Sequence, residues 1–328
     1  MALFDEAQRA WDLPQTSAFM RTKKGEPDFN QSEPAFLISC MDRHNWAVVV
    51  CLVGNGQEIN RGEAGIREWL SAVSTQFPNW VVHLSPELAN AGAVESEAIS
   101  ALEGKVVLRY DPALHLATSV RSFRSEHVSS FVNDLLDLRL EQAKHSLKSV
   151  LATYPIRLTR DLAAAKHWVR TRARGSERFG MVVSSGAQRL RPLGVDVRVK
   201  TDPVQWFLQG HEDVRSSYYM EDPATEFQVQ GLELDWACVV WDADLRAEGG
   251  SWGFHKFSGS SWKKVNDESR RRYLLNAYRV LLTRARQGMV IVIPTGSDQD
   301  KTRPPKHYDG VFDLLKNLGI PLLTEENG

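Results

Sequence analysis

The sequence predicts an α/β fold built on parallel sheets, on three observations. Trp46–Val53 is an unbroken apolar run that ends at Gly54-Asn55-Gly56, the pattern of a strand buried on both faces. Gly62–Gln76 follows with Ile66, Trp69, Leu70 and Val73 on one helical face. The alternation returns in the second half, where apolar runs at Phe179–Ser184, Ala237–Trp241 and Met289–Pro294 are interleaved with helical patterns. Strand, glycine turn and helix in succession put helices against the faces of a sheet.

The remaining elements read in order. Met1–Asp5 is the end of a buried strand that runs into Asp5-Glu6-Ala7-Gln8, and the polar stretch Pro14–Ser32 reads as a loop. Pro34–His44 predicts a short helix, and Trp80–Leu84 and Val106–Tyr110 predict short strands. A boundary near Tyr110–Thr118 divides the chain into units of residues 1–113 and 114–328. Beyond it, Ser125–Leu147 predicts one helix with Ser125 as N-cap, and Leu158–Arg174 predicts a basic helix. Asp244–Asn266, rich in Gly, Ser and Trp, reads as a long insertion, mobile or a binding loop, ahead of a helix at Glu268–Arg284. Gly310–Leu318 closes the fold as an amphipathic helix stopped by Gly319 and Pro321.

Composition narrows the function classes. At 328 residues the chain has room for about two domains, and 42% hydrophobic with 25% charged residues excludes disordered and fibrous classes. The longest apolar run, Trp46–Val53, is far shorter than the ~20 residues that cross a bilayer, so no membrane partner is expected. Asp5 and Glu6 occupy the place where a secretory leader needs basic and then apolar residues. Cys40, Cys51 and Cys238 are scattered, which excludes a disulfide framework and a zinc cluster. A reducing, cytoplasmic setting is the expectation.

A formal charge of −1 conceals an asymmetry. Residues 157–200 carry eleven basic side chains against three acidic ones, and residues 256–286 carry nine against two. Two such stretches in one half of a neutral chain suit phosphate neutralisation, although solvated helix faces account for either alone.

Five segments carry chemistry. At Asp5-Glu6-Ala7-Gln8, one carboxylate at a strand end can hold Mg²⁺ through water while its neighbour polarises an attacking water. At Gly54-Asn55-Gly56-Gln57 the glycines free the backbone and Gln57 offers an uncharged amide to a terminal phosphate. Leu116–Ser122 places Arg121 just before a helix. Thr225–Glu233 contains Gln-Gly-Leu-Glu, and Tyr278–Arg286 contains Leu-Thr-Arg-Ala with Arg284 at a helix end. An arginine stays ionised and matches phosphate bidentately. Taken singly, each segment also fits a solvated turn or a structural ion pair.

Taken in order, these segments resemble motifs II to VI of superfamily 1 helicases. The wording is similar to the Schlafen-type, group 3-like, DNA/RNA helicase domain family across about Ala2–Pro321. The resemblance implies two RecA-like domains with ATP and Mg²⁺ in the cleft between them and single-stranded DNA or RNA running over both. It implies Asp5 as the Mg²⁺ ligand, Glu6 as the catalytic base, Gln57 as the γ-phosphate sensor, and Arg121 and Arg284 as arginine fingers. Gln8, Gly54, Gly56, Gly231 and Glu233 fall at nucleotide-binding positions. Thr225, Gln228 and Gln230, with Arg170, Arg172 and Arg174 of the basic helix, fall to nucleic acid.

One motif is missing. No Gly-x-x-x-x-Gly-Lys-Ser/Thr segment occurs, and the single Gly-Lys pair, Gly104-Lys105, lacks both the upstream glycine and the hydroxyl. The expectation is therefore the C-terminal portion of a helicase or translocase, inactive alone unless another polypeptide supplies the phosphate loop. Its first domain would be truncated, with an unpaired apolar edge at Trp46–Val53. The alternative is a non-catalytic remnant that binds nucleic acid or protein. An unrelated hydrolase or transferase is disfavoured by the absence of a nucleophile elbow and of a dinucleotide fingerprint.

Overall fold

The computed structural model of the chain describes residues 1–53, 65–89, 93–115 and 123–324. They fall into two compact units, Met1–Thr118 and Ser119–Gly328.

In the first unit, strand β1 (Ala2–Phe4) leads through helices α1 (Leu13–Phe19) and α2 (Glu33–Met41) to β2 (Val49–Cys51). Helix α3 (Gly65–Gln76), β3 (Val81–Leu84), α4 (Pro86–Ala89), α5 (Ala93–Ser100) and β4 (Val107–Tyr110) follow. β1 pairs with β2 in parallel, Leu3 opposite Val50, and β3 pairs with β4, Val82 opposite Leu108. The core collects Ala7, Ile38, Trp69, Leu70, Leu84 and Leu102, with Phe4 edge-on to Trp69 at 5.1 Å.

Three sequence expectations are corrected here. The Trp46–Val53 strand is three residues long and covered on one face only; Trp46 is 75% exposed, and Leu3 and Val50 point outward together. An apolar run therefore need not mean two covered faces: Val49 and Cys51 turn to the core while Val48 and Val50 do not. Met1–Asp5 likewise holds an alternating strand, not a buried one. Pro14–Ser32 is not a loop throughout, because Asp12 accepts the Gln15 amide at 2.8 Å and caps α1, with Pro14 in its first turn.

The second unit opens with α6 (Phe123–Leu136) and α7 (Leu140–Leu151), then β5 (Ile156–Thr159), α8 (Leu162–Arg172) and β6 (Phe179–Val183). After α9 (Pro203–Leu208) come β7 (Ala224–Thr225), the single turn α10 (Glu226–Val229) and β8 (Leu234–Val240). An antiparallel trio follows: β9 (Leu245–Glu248), β10 (Ser251–Ser258) and β11 (Ser261–Lys264). Helix α11 (Glu268–Leu282), β12 (Ala285–Val292) and α12 (Lys306–Leu318) complete the unit, and Gly319 at φ +105° ends α12.

The main sheet has the order β5-β12-β8-β6-β7, all parallel. Every residue of β6 and β8 is buried, as expected for strands covered on both faces. On one face Trp168 and Val169 of α8 pack with Met181, Cys238, Val240 and Val290. On the other, Gly180 leaves room for the Trp206 ring, whose Nε1 donates to the Asp222 carbonyl at 3.0 Å.

Ser125–Leu147 is two helices, because Leu138 adopts φ +57° and reverses the chain, and Ser125 lies inside α6 rather than at its cap. Leu158–Arg174 is not one helix; it contains the end of β5, and Asp161 caps α8 by accepting the Ala163 and Ala164 amides. The Asp244–Asn266 insertion is not a loop but holds the antiparallel trio, fastened by tryptophans. Trp252 Nε1 donates to Leu136 O at 2.8 Å, and Trp262 Nε1 donates to Thr302 O at 2.7 Å.

A Cβ at position 180 would lie 2.5 Å from Trp206, which is fully buried and cannot yield. Gly180→Ala is expected to destabilise the chain by about 1–3 kcal/mol, read from the denaturant midpoint.

Candidate functional site

At the end of β1 the chain turns through Asp5 and Glu6. Glu6 adopts φ +53°, uncommon for a residue with a side chain, and its amide donates to Asp5 Oδ1 at 2.9 Å. Gln8 is buried and its amide donates to Glu6 Oε2 at 2.6 Å, which aims that carboxylate. The backbone beneath is held by Ala7 N to Leu52 O and by Trp69 Nε1 to Ala7 O, both 2.8 Å. Asp5 is exposed beside it. Among the described residues no three His, Cys, Asp or Glu side chains gather to hold a metal ion. An exposed carboxylate at a strand end still suits Mg²⁺, which keeps most of its waters and takes one or two protein oxygens. Gly54, Gly56 and Gln57 lie outside the described residues, as does Arg121.

In the second unit, Gly231, Glu233 and Arg284 come together where β8 and β12 start. Arg284 is buried, and its Nη1 donates to the carbonyls of Leu232 at 2.7 Å and Val229 at 3.1 Å. The guanidinium thus clamps the Val229–Leu232 turn around Gly231, which sits exposed at φ +83°. Arg286 lies beside it, with Nη2 to Asp235 Oδ1 at 2.7 Å and Nη1 3.8 Å from Glu233.

Thr225, Gln228 and Gln230 belong to the connection between β7 and that turn. Gln228 Oε1 accepts from the Thr225 amide at 2.7 Å and hydroxyl at 2.9 Å, and its Nε2 donates to Thr201 O. The Gln228 side chain therefore builds the α10 cap. Phe227 beside it is 47% exposed, an aromatic face available for stacking, which the sequence reading missed.

Arg170, Arg172 and Arg174 lie exposed at the end of α8, on the side of the sheet where the strands start. Arg170 donates to Tyr219 O at 2.6 Å and helps line a cavity of about 300 Å³ with His211 and Tyr218. His211 stacks on Tyr218 at 4.1 Å, and Arg178 covers the same ring at 4.2 Å. Thr225 ends its strand at the opposite edge, level with Val183. The structure thus groups the arginines with Gly231, Glu233 and Arg284 on one side of the sheet and sets Thr225 on the other.

Buried carboxylates hold that other edge. Asp244 Oδ2 accepts from Ser184 Oγ, and Oδ1 from Tyr278 OH, both at 2.6 Å. Glu226 accepts the Ser185 amide at 2.8 Å and hydroxyl at 2.6 Å, and Asp242 accepts from Arg189 N and Tyr308 OH. Burial first, then the charge of Asp242, pushes Asp244 up to about 7. Burial raises Asp242 and Glu226 too, against the lowering effect of their donors. Sequence reasoning missed this cluster. Its signal was the same as for Asp5 and Glu6: carboxylates directly after an apolar strand.

A parallel α/β sheet with its polar motifs gathered at the strand ends defines the class. More narrowly, the chain belongs to the Schlafen group 3, DNA/RNA helicase domain family, whose model matches residues 1–295. Membership makes its function helicase-related, with nucleic-acid binding in general and, more loosely, nucleotide and Mg²⁺ use. Comparison with curated proteins finds no match. Among the described residues no helix is long and apolar enough to cross a membrane.

Arg284→Ala leaves two carbonyls without their charged donor, and a loss of about 1.5–3 kcal/mol is expected in denaturant unfolding. For Asp244, a folded pKa of about 7 above an ordinary value of 3.8 means that the folded state holds the extra proton between those values. The associated stability is complete below about pH 4 and is lost as pH rises through about 7. Asp244→Asn removes the titration, so its melting temperature is expected to fall less than that of the unaltered chain across this window.

Proposed function

We propose that the chain is the motor part of an ATP-dependent superfamily 1 helicase or translocase, with two RecA-like domains acting on single-stranded DNA or RNA. Family membership over residues 1–295 carries this reading. The carboxylate pair at the end of β1 supports it, because Gln8 aims Glu6 while Asp5 stays open to solvent.

In this reading Asp5 holds Mg²⁺, which neutralises phosphate charge when bound. Glu6 accepts the proton of the attacking water, and its hydrogen bond from Gln8 keeps the accepting oxygen in place. Gln57, Gly54 and Gly56 serve the terminal phosphate, and Arg121 and Arg284 serve the transferring phosphoryl group. Gly231 and Glu233 border the nucleotide, with Arg284 setting the shape of their turn. The nucleic acid is carried at two places on the second unit: the arginines at 170, 172 and 174 on the edge where the strands start, and, apart from them, the Thr225–Gln230 segment, where Gln228 shapes the α10 cap and Phe227 adds a stacking face. A phosphate loop supplied by another polypeptide segment completes the nucleotide site.

A second reading, a non-catalytic nucleic-acid or protein-binding module, is favoured by one observation. Arg284 is buried with its guanidinium engaged on backbone carbonyls, as a structural brace would be.

Two measurements test the proposal. The chain alone is expected to hydrolyse ATP very slowly, and a segment carrying a phosphate loop, added in trans, is expected to raise turnover; Glu6→Gln should abolish the gain. No gain with any such segment favours the second reading. Binding of a single-stranded oligonucleotide is expected to weaken steeply with salt. Replacing Arg170, Arg172 and Arg174 together by Gln is expected to reduce the salt slope by about one unit per lost phosphate contact.

A further inference from the structure

Unit two holds a cluster of basic side chains that none of the helicase motifs uses. Arg246 of β9 is 95% buried by its 5% exposure, and its Nε donates to Ala243 O at 2.7 Å. Its Nη2 is buried with no partner among the described residues. Around it stand His255 of β10 and His307 of α12, each only partly exposed; each ring has a backbone hydrogen bond, with Gly253 and Thr302 respectively, and each has a buried Nδ1 with no partner among the described residues. Exposed Lys264 of β11 and Lys306 of α12 flank the pair. The Trp262 ring lies 5.4 Å from the Arg246 guanidinium.

α12 contributes a second, independent feature. The 13-residue helix begins at Lys306 without any side-chain cap, so its positive end adds to the field of the basic side chains. α12 also packs directly on β9, since a Cβ on Gly310 would run into the Ala247 carbonyl. Three carboxylates act on Arg246, and that of Glu248 lies over Gly253 beside the His255 ring. Glu248 stands 3.7 Å from Nη1 with its side chain half exposed, and Asp242 and Asp244 lie behind in the core, engaged by Tyr308 and Tyr278. Arg303, also buried, adds charge next to Asp242 and Tyr308.

An arginine taken out of water without a full set of acceptors is costly, and an oxyanion is the partner that supplies acceptors to guanidinium, imidazole and ammonium together. We propose that the cluster formed by Arg246, His255, Lys264 and His307 binds a phosphate group. It lies at the edge of the main sheet where the parallel strands end, opposite the edge that carries the Val229–Leu232 turn and Arg284. Burial and the charges of Arg246, Lys306 and His255 press His307 down to about 4, and burial and Arg246 lower His255 as well. A bound phosphate offsets those charges and raises both.

The test uses the full chain and inorganic phosphate, with the two imidazoles followed by NMR at constant ionic strength. Expected are saturable shifts of the His255 and His307 ring signals and an upward move of both titrations. Arg246→Gln should weaken phosphate binding by at least about tenfold. Should that variant fail to fold, two exposed positions report instead: Lys264→Gln should weaken binding and Glu248→Gln should tighten it. Addition of a single-stranded oligonucleotide separates the sources. Displacement of inorganic phosphate identifies a nucleic-acid phosphate as the ligand, and its retention identifies a free phosphate or small phosphate ester. Unchanged imidazole signals with phosphate and with oligonucleotide, or equal affinity in the Lys264→Gln and Glu248→Gln variants, overturns the proposal.

Discussion

Two fully buried strands, β6 and β8, set the terms for the rest of the second unit. With helices and connections over both faces, no charge can sit along their length without losing its water. Polar chemistry is driven to the strand ends, where the chain must turn and where backbone groups need partners anyway. Ser184, Ser185, Asp242 and Asp244 occupy one set of ends; Gly231, Glu233 and Arg284 occupy the other. The two sets do different work because their surroundings differ in charge and access.

Burial decides the character of each group. Arg284 is held in the interior by two carbonyls that accept from its guanidinium. Asp244 receives two short hydrogen bonds, yet these do not balance the loss of water and the repulsion from Asp242, so its carboxyl holds its proton to about pH 7. Cys51 and Cys238 follow the same rule: burial pushes both thiols up to about 12, which leaves them as small apolar side chains.

The first unit is built on a different balance. Its paired strands present Phe4, Val49 and Cys51 to a core formed with α3, while Leu3 and Val50 face outward. Among the described residues this sheet has two strands, so its outward apolar side chains stand next to strand edges, the combination that strand addition exploits. The acidic turn at its edge is nevertheless well made. Gln8, Trp69 and Leu52 fix its backbone and one carboxylate, so the positions of Asp5 and Glu6 follow from local packing.

Much of this was legible in the residues themselves. Continuous apolar runs announced β6, β8 and β12, the spacing of Trp69 and Leu70 announced α3, and Gly319 announced the end of α12. Periodicity is a local property, and it survives wherever an element is long and has one clear face. The ordered motif words likewise pointed to the family, because each is a short string of adjacent residues. What the residues could not specify depends on neighbours distant in sequence. Whether the 46–53 run is covered on one face or two turns on what packs above it. The Asp244–Asn266 segment folds as a sheet that is fastened to distant parts of the chain, its tryptophans donating to carbonyls at Leu136 and Thr302. Arg284 clamps a turn more than fifty residues earlier in the chain, and Arg246, His255 and His307 meet only when β9, β10 and α12 converge. Side-chain charge is written in the sequence, but its energy is set by the water and partners that tertiary packing leaves around it.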